Sequence, residues 1–236
     1  MNLSANEPRT HIDLFSGIGG FALAANAAGF STRVFCESDP YASRVLRRHW
    51  PTVPIIPDIR DFDGTKWRGA DLLTGGWPCQ PWSHAGEQRG HADDRSLWKE
   101  MFRVIDEARP GWIVGENVVG IINLALDEVL SDLESILYSA AAVVIPAASL
   151  NAHHRRDRVF IIAADTERCE RRNEPHGGAT GRVGWEPQPF SWDIPWEEAL
   201  CDLRGMDDGS AYTSHRVDTI RNAVVPAIPF QILKLI

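Results

Sequence analysis

The chain has 236 residues, 44% of them hydrophobic and 24% charged, with a formal net charge of −8 at pH 7. That length suits one domain, or one domain with a modest second lobe, and is ample for an apolar core. The acidic balance argues against a surface coated for non-specific nucleic-acid binding, while leaving a local basic groove open. No apolar run approaches the ~20 residues of a membrane span, and residues 1–9 carry no apolar signal-peptide core. Cys36, Cys79, Cys169 and Cys201 are far apart with no C-x-x-C pair, so no disulfide framework and no metal site is indicated. The expectation is a reducing, cytoplasmic setting.

Residues 11–15 predict a short strand, and Ser16-Gly17-Ile18-Gly19-Gly20 the turn into an alanine-rich helix over 21–28. A second strand, 33–36, ends at Glu37, where a carboxylate can accept hydrogen bonds from both ribose hydroxyls of an adenosine cofactor. This half-site does not separate a nicotinamide cofactor from S-adenosylmethionine, and a glycine turn serving only helix–strand packing is the alternative. Asp39 predicts the cap of a helix running to about Trp50. Pro51, Pro54 and Pro57 bracket a brief strand ending at Asp58-Ile59-Arg60, and Asp58 is either an adenine contact or a plain turn residue.

Ala70-Asp71-Leu72-Leu73-Thr74 reads as a buried strand, followed by the rigid turn Gly75-Gly76-Trp77-Pro78-Cys79-Gln80-Pro81-Trp82-Ser83. Ligands bind at the C-terminal edge of an open α/β sheet, and a thiol held there is a candidate nucleophile. The alternative for Cys79 is a small buried hydrophobe. Residues 84–91, with Gly86 and Gly90, read as a mobile flap or a solvated loop. Asp93-Asp94 opens an amphipathic helix through Ala108, with Leu97, Met101, Val104 and Ile105 on its apolar face. Residues 112–115 form the next strand, and Glu116-Asn117-Val118 brings a second carboxylate to the sheet edge that carries Cys79. A helix over 123–140, a strand over 141–145, a basic loop over 151–158 and a strand over 159–163 complete the alternation, which argues for a parallel-dominated sheet. Residues 165–212 change character, and Trp185, Trp192 and Trp196 there either pack a small core or stack on a ligand. Residues 214–236 read as helical on both sides of Pro226, covering the edge of the first strand.

In order and spacing, Asp13-Leu14-Phe15-Ser16-Gly17-Ile18-Gly19-Gly20-Phe21, Glu37, Pro78-Cys79-Gln80, Glu116-Asn117-Val118, Arg156-x-Arg158 and Asn222-Ala223-Val224 together resemble the cytosine-5 DNA methyltransferase family. The resemblance covers roughly residues 11–164 and 214–232. It implies a Rossmann-like α/β methyltransferase fold, with a mostly parallel central sheet, helices on both faces and a small irregular target-recognition lobe. The catalytic domain is then 1–164 with 213–236, and the recognition region 165–212. The implied cofactor is S-adenosyl-L-methionine, held by Phe15, Ser16, Gly17, Gly19, Gly20, Glu37, Ser38, Asp58, Ile59, Pro78, Asn222 and Ala223. The implied chemistry is attack of Cys79 on cytosine C6, with Glu116 stabilising charge at N3, Arg158 holding the O2 edge and Arg156 supporting that site. Gln80, Ser83, Asn117, Val118 and His154 would line the substrate side.

The substrate so implied is double-stranded DNA with its cytosine flipped out of the stack, bound by a monomer that is paired with a restriction endonuclease or acts alone. A tRNA substrate handled by the same motifs, and a catalytically impaired binding member, are the alternatives. A nicotinamide dehydrogenase would leave Pro78-Cys79-Gln80 unexplained. The chain departs from the family pattern at His154, where Gln is usual, and at Arg221, where Gly is usual and a large cation would crowd or re-contact the cofactor's methionine end. Its recognition region is also very short, which predicts a short or degenerate target, or help from a partner.

Overall fold

Leu72-Leu73-Thr74-Gly75 is buried at every position, and Ile12 to Leu14 of the first strand likewise. Strands covered on both faces are the mark of a parallel sheet with helices on either side. The computed structural model of the protein describes residues 8–78, 94–146, 157–168 and 224–236. These residues form β1 (Arg9–Leu14), α1 (Gly20–Ala27), β2 (Phe30–Cys36), α2 (Pro40–His49), β3 (Ile55–Ile56), β4 (Leu72–Gly75) and α3 (Asp94–Ala108). There follow β5 (Trp112–Val118), the short α4 (Ile121–Leu124), α5 (Leu126–Ser135), β6 (Tyr138–Pro146), β7 (Asp157–Asp165) and α6 (Ala227–Leu233). The proposed flap and nearly all of the proposed recognition region lie outside the described residues.

The strand order is β3-β2-β1-β4-β5-β7-β6. Strands β1 to β5 pair in parallel, and β7 runs antiparallel between β5 and β6. The chain winds outward from β1 in one direction and from β4 in the other, so β1 and β4 flank the switch point where ligands bind in such sheets. One face is covered by α3 and α5, whose Met101, Val104, Ile105, Val129 and Leu133 pack with Ile12, Leu14, Leu73 and Ile113. On the other, Phe21, Ala24 and Ala25 of α1 meet Leu72, Val114 and Phe160, with Ile228, Ile232 and Leu233 of α6. The expected helix of 94–108, its apolar face and the Asp39 cap are all present, the Asp39 carboxylate accepting from the Tyr41 and Ala42 amides at 2.6 and 2.9 Å.

Two expectations are corrected. The helix expected over 123–140 ends at Ser135, because Leu137 takes a left-handed φ of 66° and residues from Tyr138 onward pair with β7. Ser139 to Ala142 prefer helix locally, and the open edge of β7 overrides that weak preference. Nor does the C-terminal helix cover an edge of β1, which lies hydrogen-bonded between β2 and β4 and has none; α6 packs on the sheet face beside α1 instead.

The core also holds a polar chain. His11 Nδ1 lies 3.0 Å from Thr32 Oγ1, His11 Nε2 lies 2.8 Å from Thr74 Oγ1, and the Thr74 hydroxyl donates to Asp13 Oδ1 at 2.7 Å. Since Thr74 spends its proton on Asp13, Nε2 donates, and with burial keeping the ring neutral, Nδ1 accepts from Thr32. Burial lowers the His11 pKa to about 3. An unfolded His takes up a proton below pH 6.5, so His11 withdraws stability as pH falls from 6.5 toward 3. Asp13, raised by burial, acts in the opposite sense, withdrawing stability as pH rises above 3.8. Urea unfolding of His11→Gln beside wild type isolates the first effect: wild type is expected to lose about 2 kcal/mol more than the variant between pH 7 and pH 5. Equal losses would show that His11 is not held neutral.

Candidate active site

Strand β1 delivers its chain into a turn built from left-handed residues. Phe15, Gly17 and Gly19 have φ of 52°, 53° and 93°. A side chain at Gly19 would also strike the Trp50 ring, since a Cβ there lies 2.7 Å from it. A non-glycine residue such as Phe15 held in this region stores local strain, which the neighbouring contacts must offset. Ser16 supplies one of them, its amide donating to the Cys36 carbonyl at 3.0 Å and its hydroxyl to the Asp13 carbonyl at 2.7 Å. Gly20 opens α1 against Val224; a Cβ at Gly20 would lie 2.7 Å from the Val224 carbonyl oxygen. The segment expected to close the cofactor's methionine end therefore re-enters the described structure against this turn.

Glu37 follows β2 directly and binds the turn to the next helix. One carboxylate oxygen accepts from the Gly17 amide and the other from the Asp39 amide, both at 2.6 Å. Burial raises its pKa, while the amide donors counteract the shift. The carboxylate is half-buried at the C-terminal edge, with Ser38 exposed beside it. Asp58 caps a 3₁₀ turn by accepting from the Arg60 amide at 2.9 Å. Ile59 is buried, and its carbonyl, with that of Phe62, accepts from Arg103 at 2.8 and 2.9 Å. Arg103, itself held by Glu100 and Glu107 on α3, thus fixes the loop bearing Asp58 from behind.

At the adjacent strand ends, Gly75 of β4 pairs with Gly115 of β5. Glu116 follows, with Gly76 beneath it; a Cβ at Gly76 would lie 3.4 Å from Glu116 Oε2. Across the antiparallel seam, Arg158 Nε lies 2.8 Å from Glu116 Oε1, the two side chains being 21% and 10% exposed. Asn117 donates its amide to the Trp77 carbonyl at 3.1 Å and accepts from the Val118 amide. It therefore braces the loop that leads through the exposed Pro78 to Cys79, and the Trp77 ring is locked against Trp98, centroids 4.8 Å apart. Cys79, Gln80, Ser83, His154, Arg156, Arg221, Asn222 and Ala223 lie outside the described residues. Among the described residues the one cysteine is Cys36, buried, its thiol pushed up to about 12 by burial and neighbouring carboxylates. It is unreactive. No group of described side chains suits a metal ion.

Sequence reasoning missed the bracing residues. Arg103 carried a signal in its acidic neighbours three and four positions away, and Thr74 in being a polar residue in a strand otherwise apolar; Asp13 was named as a motif residue, but its bond to Thr74 was not foreseen.

The sheet order, with its antiparallel seventh strand, defines the Rossmann-like methyltransferase fold. Its structural likeness extends to a prophage-encoded Escherichia coli protein assigned as a DNA modification methyltransferase, at TM-score 0.60 and 24% identity, over 68% of this chain and 48% of that one. It also extends to Schizosaccharomyces pombe Dnmt2 methyltransferase, at TM-score 0.55 and 20% identity, over 66% and 49%. The sequence model of the C-5 cytosine-specific DNA methylase family matches residues 9–190, and the chain belongs to that family. It is 36% identical over 162 residues to the type II methyltransferase M2.BsuMI of Bacillus subtilis, covering 65% of this chain and 41% of the relative. It is 34% identical over 194 residues to M.AquIA of Picosynechococcus, covering 73% and 78%. Against the relatives matched most strongly, the aligned part spans only 36% to 41% of their length.

Proposed function

We propose that the chain transfers a methyl group from S-adenosylmethionine to C5 of cytosine in DNA, through a covalent bond between Cys79 and C6. The observation that carries this reading is the Arg158–Glu116 pair at 2.8 Å, set beside Gly76 at the strand end that leads to Cys79. Cytosine C5 is too poor a nucleophile to accept a methyl group directly. Addition of the Cys79 thiolate to C6 breaks the ring's aromaticity and moves electron density toward C5 and N3. Glu116, holding or sharing a proton at N3, stabilises that density as it develops, and Arg158, whose Nε faces Glu116 and one of whose terminal nitrogens donates to the Asp157 carbonyl, orients the carboxylate and offers its other terminal nitrogen to the O2 edge. Once C5 carries the methyl group, its proton passes to water and Cys79 departs as the thiolate, which restores the ring. Both partners sit in a largely dry edge, where such pairing acts more strongly than in water.

The cofactor supplies an electrophilic methyl group on a sulfonium. The residues present suit it: a half-buried carboxylate follows β2, and a Cβ at Gly17 would meet nothing within 4 Å, so the turn is open for close approach. Glu37 would hold the ribose, Asp58 and Ile59 the adenine side, and Phe15 to Gly20 with Asn222 and Ala223 the methionine end. A flipped cytosine costs a few kcal/mol of lost stacking and pairing, which contacts in this pocket have to offset. Double-stranded DNA as substrate, a monomeric enzyme, a cognate endonuclease and residues 165–212 as the recognition region belong to the same reading.

The test is transfer of labelled methyl to unmethylated DNA and, separately, to tRNA, with Cys79→Ala as control. Label on DNA that disappears in the variant supports the proposal. Label on tRNA alone reassigns the substrate, and label surviving in Cys79→Ala removes the covalent mechanism.

A further inference from the structure

The two halves of the proposed site leave the sheet on neighbouring strands, β1 into the glycine turn and β4 into the Cys79 loop. Only groups near those strand ends can fix one half relative to the other. Asp13 and Thr74 are register partners, one two residues before Phe15 and the other five before Cys79. Both are fully buried. The Thr74 hydroxyl is the one side-chain donor to Asp13 among the described residues, and the Ala22 amide of α1 also faces the carboxyl. Thr74 in turn is oriented by His11, itself oriented by Thr32 on β2. Asp13 reaches the turn through its own carbonyl, which accepts from the Ser16 hydroxyl.

A carboxyl kept in a dry core opposes stability as the pH rises, and an apolar residue of similar size would avoid that cost. What the polar chain contributes instead is direction: the backbone ladders of β1 with β2 and β4 set the register, and the side-chain hydrogen bonds across the three strands add an angular constraint at their C-terminal ends that apolar contacts would not supply. We propose that Asp13 and Thr74 are positioning residues whose hydrogen bond sets the placement of the glycine turn relative to the Cys79 loop. The inference rests on the methyltransferase reading above, and it concerns geometry between the half-sites rather than the integrity of either.

Thr74→Val keeps the β-branched shape and removes the hydroxyl. Three readouts separate a positioning role from a structural one: the single-turnover methylation rate of folded protein, the Kd for S-adenosylhomocysteine by calorimetry, and the rate of Cys79 alkylation by iodoacetamide without cofactor, followed by peptide mass. The expected result is a rate lowered about 10- to 100-fold, as a misplacement of about 1 Å produces, with Kd and alkylation each within roughly threefold of wild type. Thr74→Ser, which restores the hydroxyl, returns the rate. If Thr74→Val does not accumulate as folded protein, Thr74→Ala, which leaves room for a water, is read in the same way. An unchanged rate, or a Kd that weakens in step with the rate, overturns the inference. A wild type that binds the cofactor analogue but methylates neither DNA nor tRNA overturns the methyltransferase reading and the inference with it, an outcome visible before any variant is compared.

Discussion

Arg158→Ala is expected to lower kcat/KM for methyl transfer at least about 100-fold. The substitution takes the guanidinium from a Glu116 side chain that is only 10% exposed, and removing one preorganised donor from a site of developing charge costs about 2.7–4 kcal/mol of transition-state stabilisation. Arg158 is 21% exposed, which argues for the lower end, about 3 kcal/mol, or roughly two orders of magnitude in rate. Arg158→Lys restores the charge as a point ammonium without the planar fork, so it should recover part of the loss and remain about tenfold below wild type. The check is steady-state kinetics on variants whose unfolding midpoints match the wild type. A rate for Arg158→Ala within threefold of wild type would sink the assigned role of this pair.

Glu37→Ala is expected to weaken cofactor binding at least about 100-fold. Two amides, those of Gly17 and Asp39, give up their 2.6 Å bonds to the carboxylate and the turn its set position, while the affinity loss comes from the proposed ribose contact, since hydrogen bonds to charged groups contribute about 1.5–3 kcal/mol each. The glycine turn loses its tether at the same time as the ribose loses its acceptor. Glu37→Gln retains one acceptor oxygen and should sit between, near a tenfold loss. Calorimetric titration with S-adenosylhomocysteine measures both. Equal affinities in wild type and Glu37→Ala would move the cofactor away from this turn.

The parts of the site that were legible in the sequence are those where one residue type alone satisfies the local need. Glycine at 17 and 19 announced the turn, whose positive φ the structure adds, and Asp39 announced a helix start. Glu37 was legible because it stands at the end of a strand that the chain's alternation of apolar runs and turns made visible. Glu116 and Arg158 were recognisable as motif residues, but their contact depends on β7 folding back antiparallel beside β5, a pairing over about 40 positions that no local pattern encodes. The same long-range pairing explains the missed boundary after Ser135. There Tyr138 to Ala140 read as the end of the helix, and become strand because β7 offers an open ladder. The bracing residues were hidden for another reason. Asn117 and Arg103 act on backbone carbonyls of distant loops, at Trp77, Ile59 and Phe62, and carbonyls leave no signature in a sequence.

A covalent bond from Cys79 to C6 of cytosine in DNA can be trapped. DNA synthesised with 5-fluorocytosine in place of every cytosine presents the target whatever its sequence context. Fluorine cannot leave C5 as a cation, so the step that releases Cys79 is blocked. Incubated with S-adenosylmethionine, wild type is predicted to form a protein–DNA complex that survives denaturant, and Cys79→Ala to form none. Wild type that methylates ordinary DNA under the same conditions yet forms no such complex, or a complex that persists in Cys79→Ala, would contradict the claim.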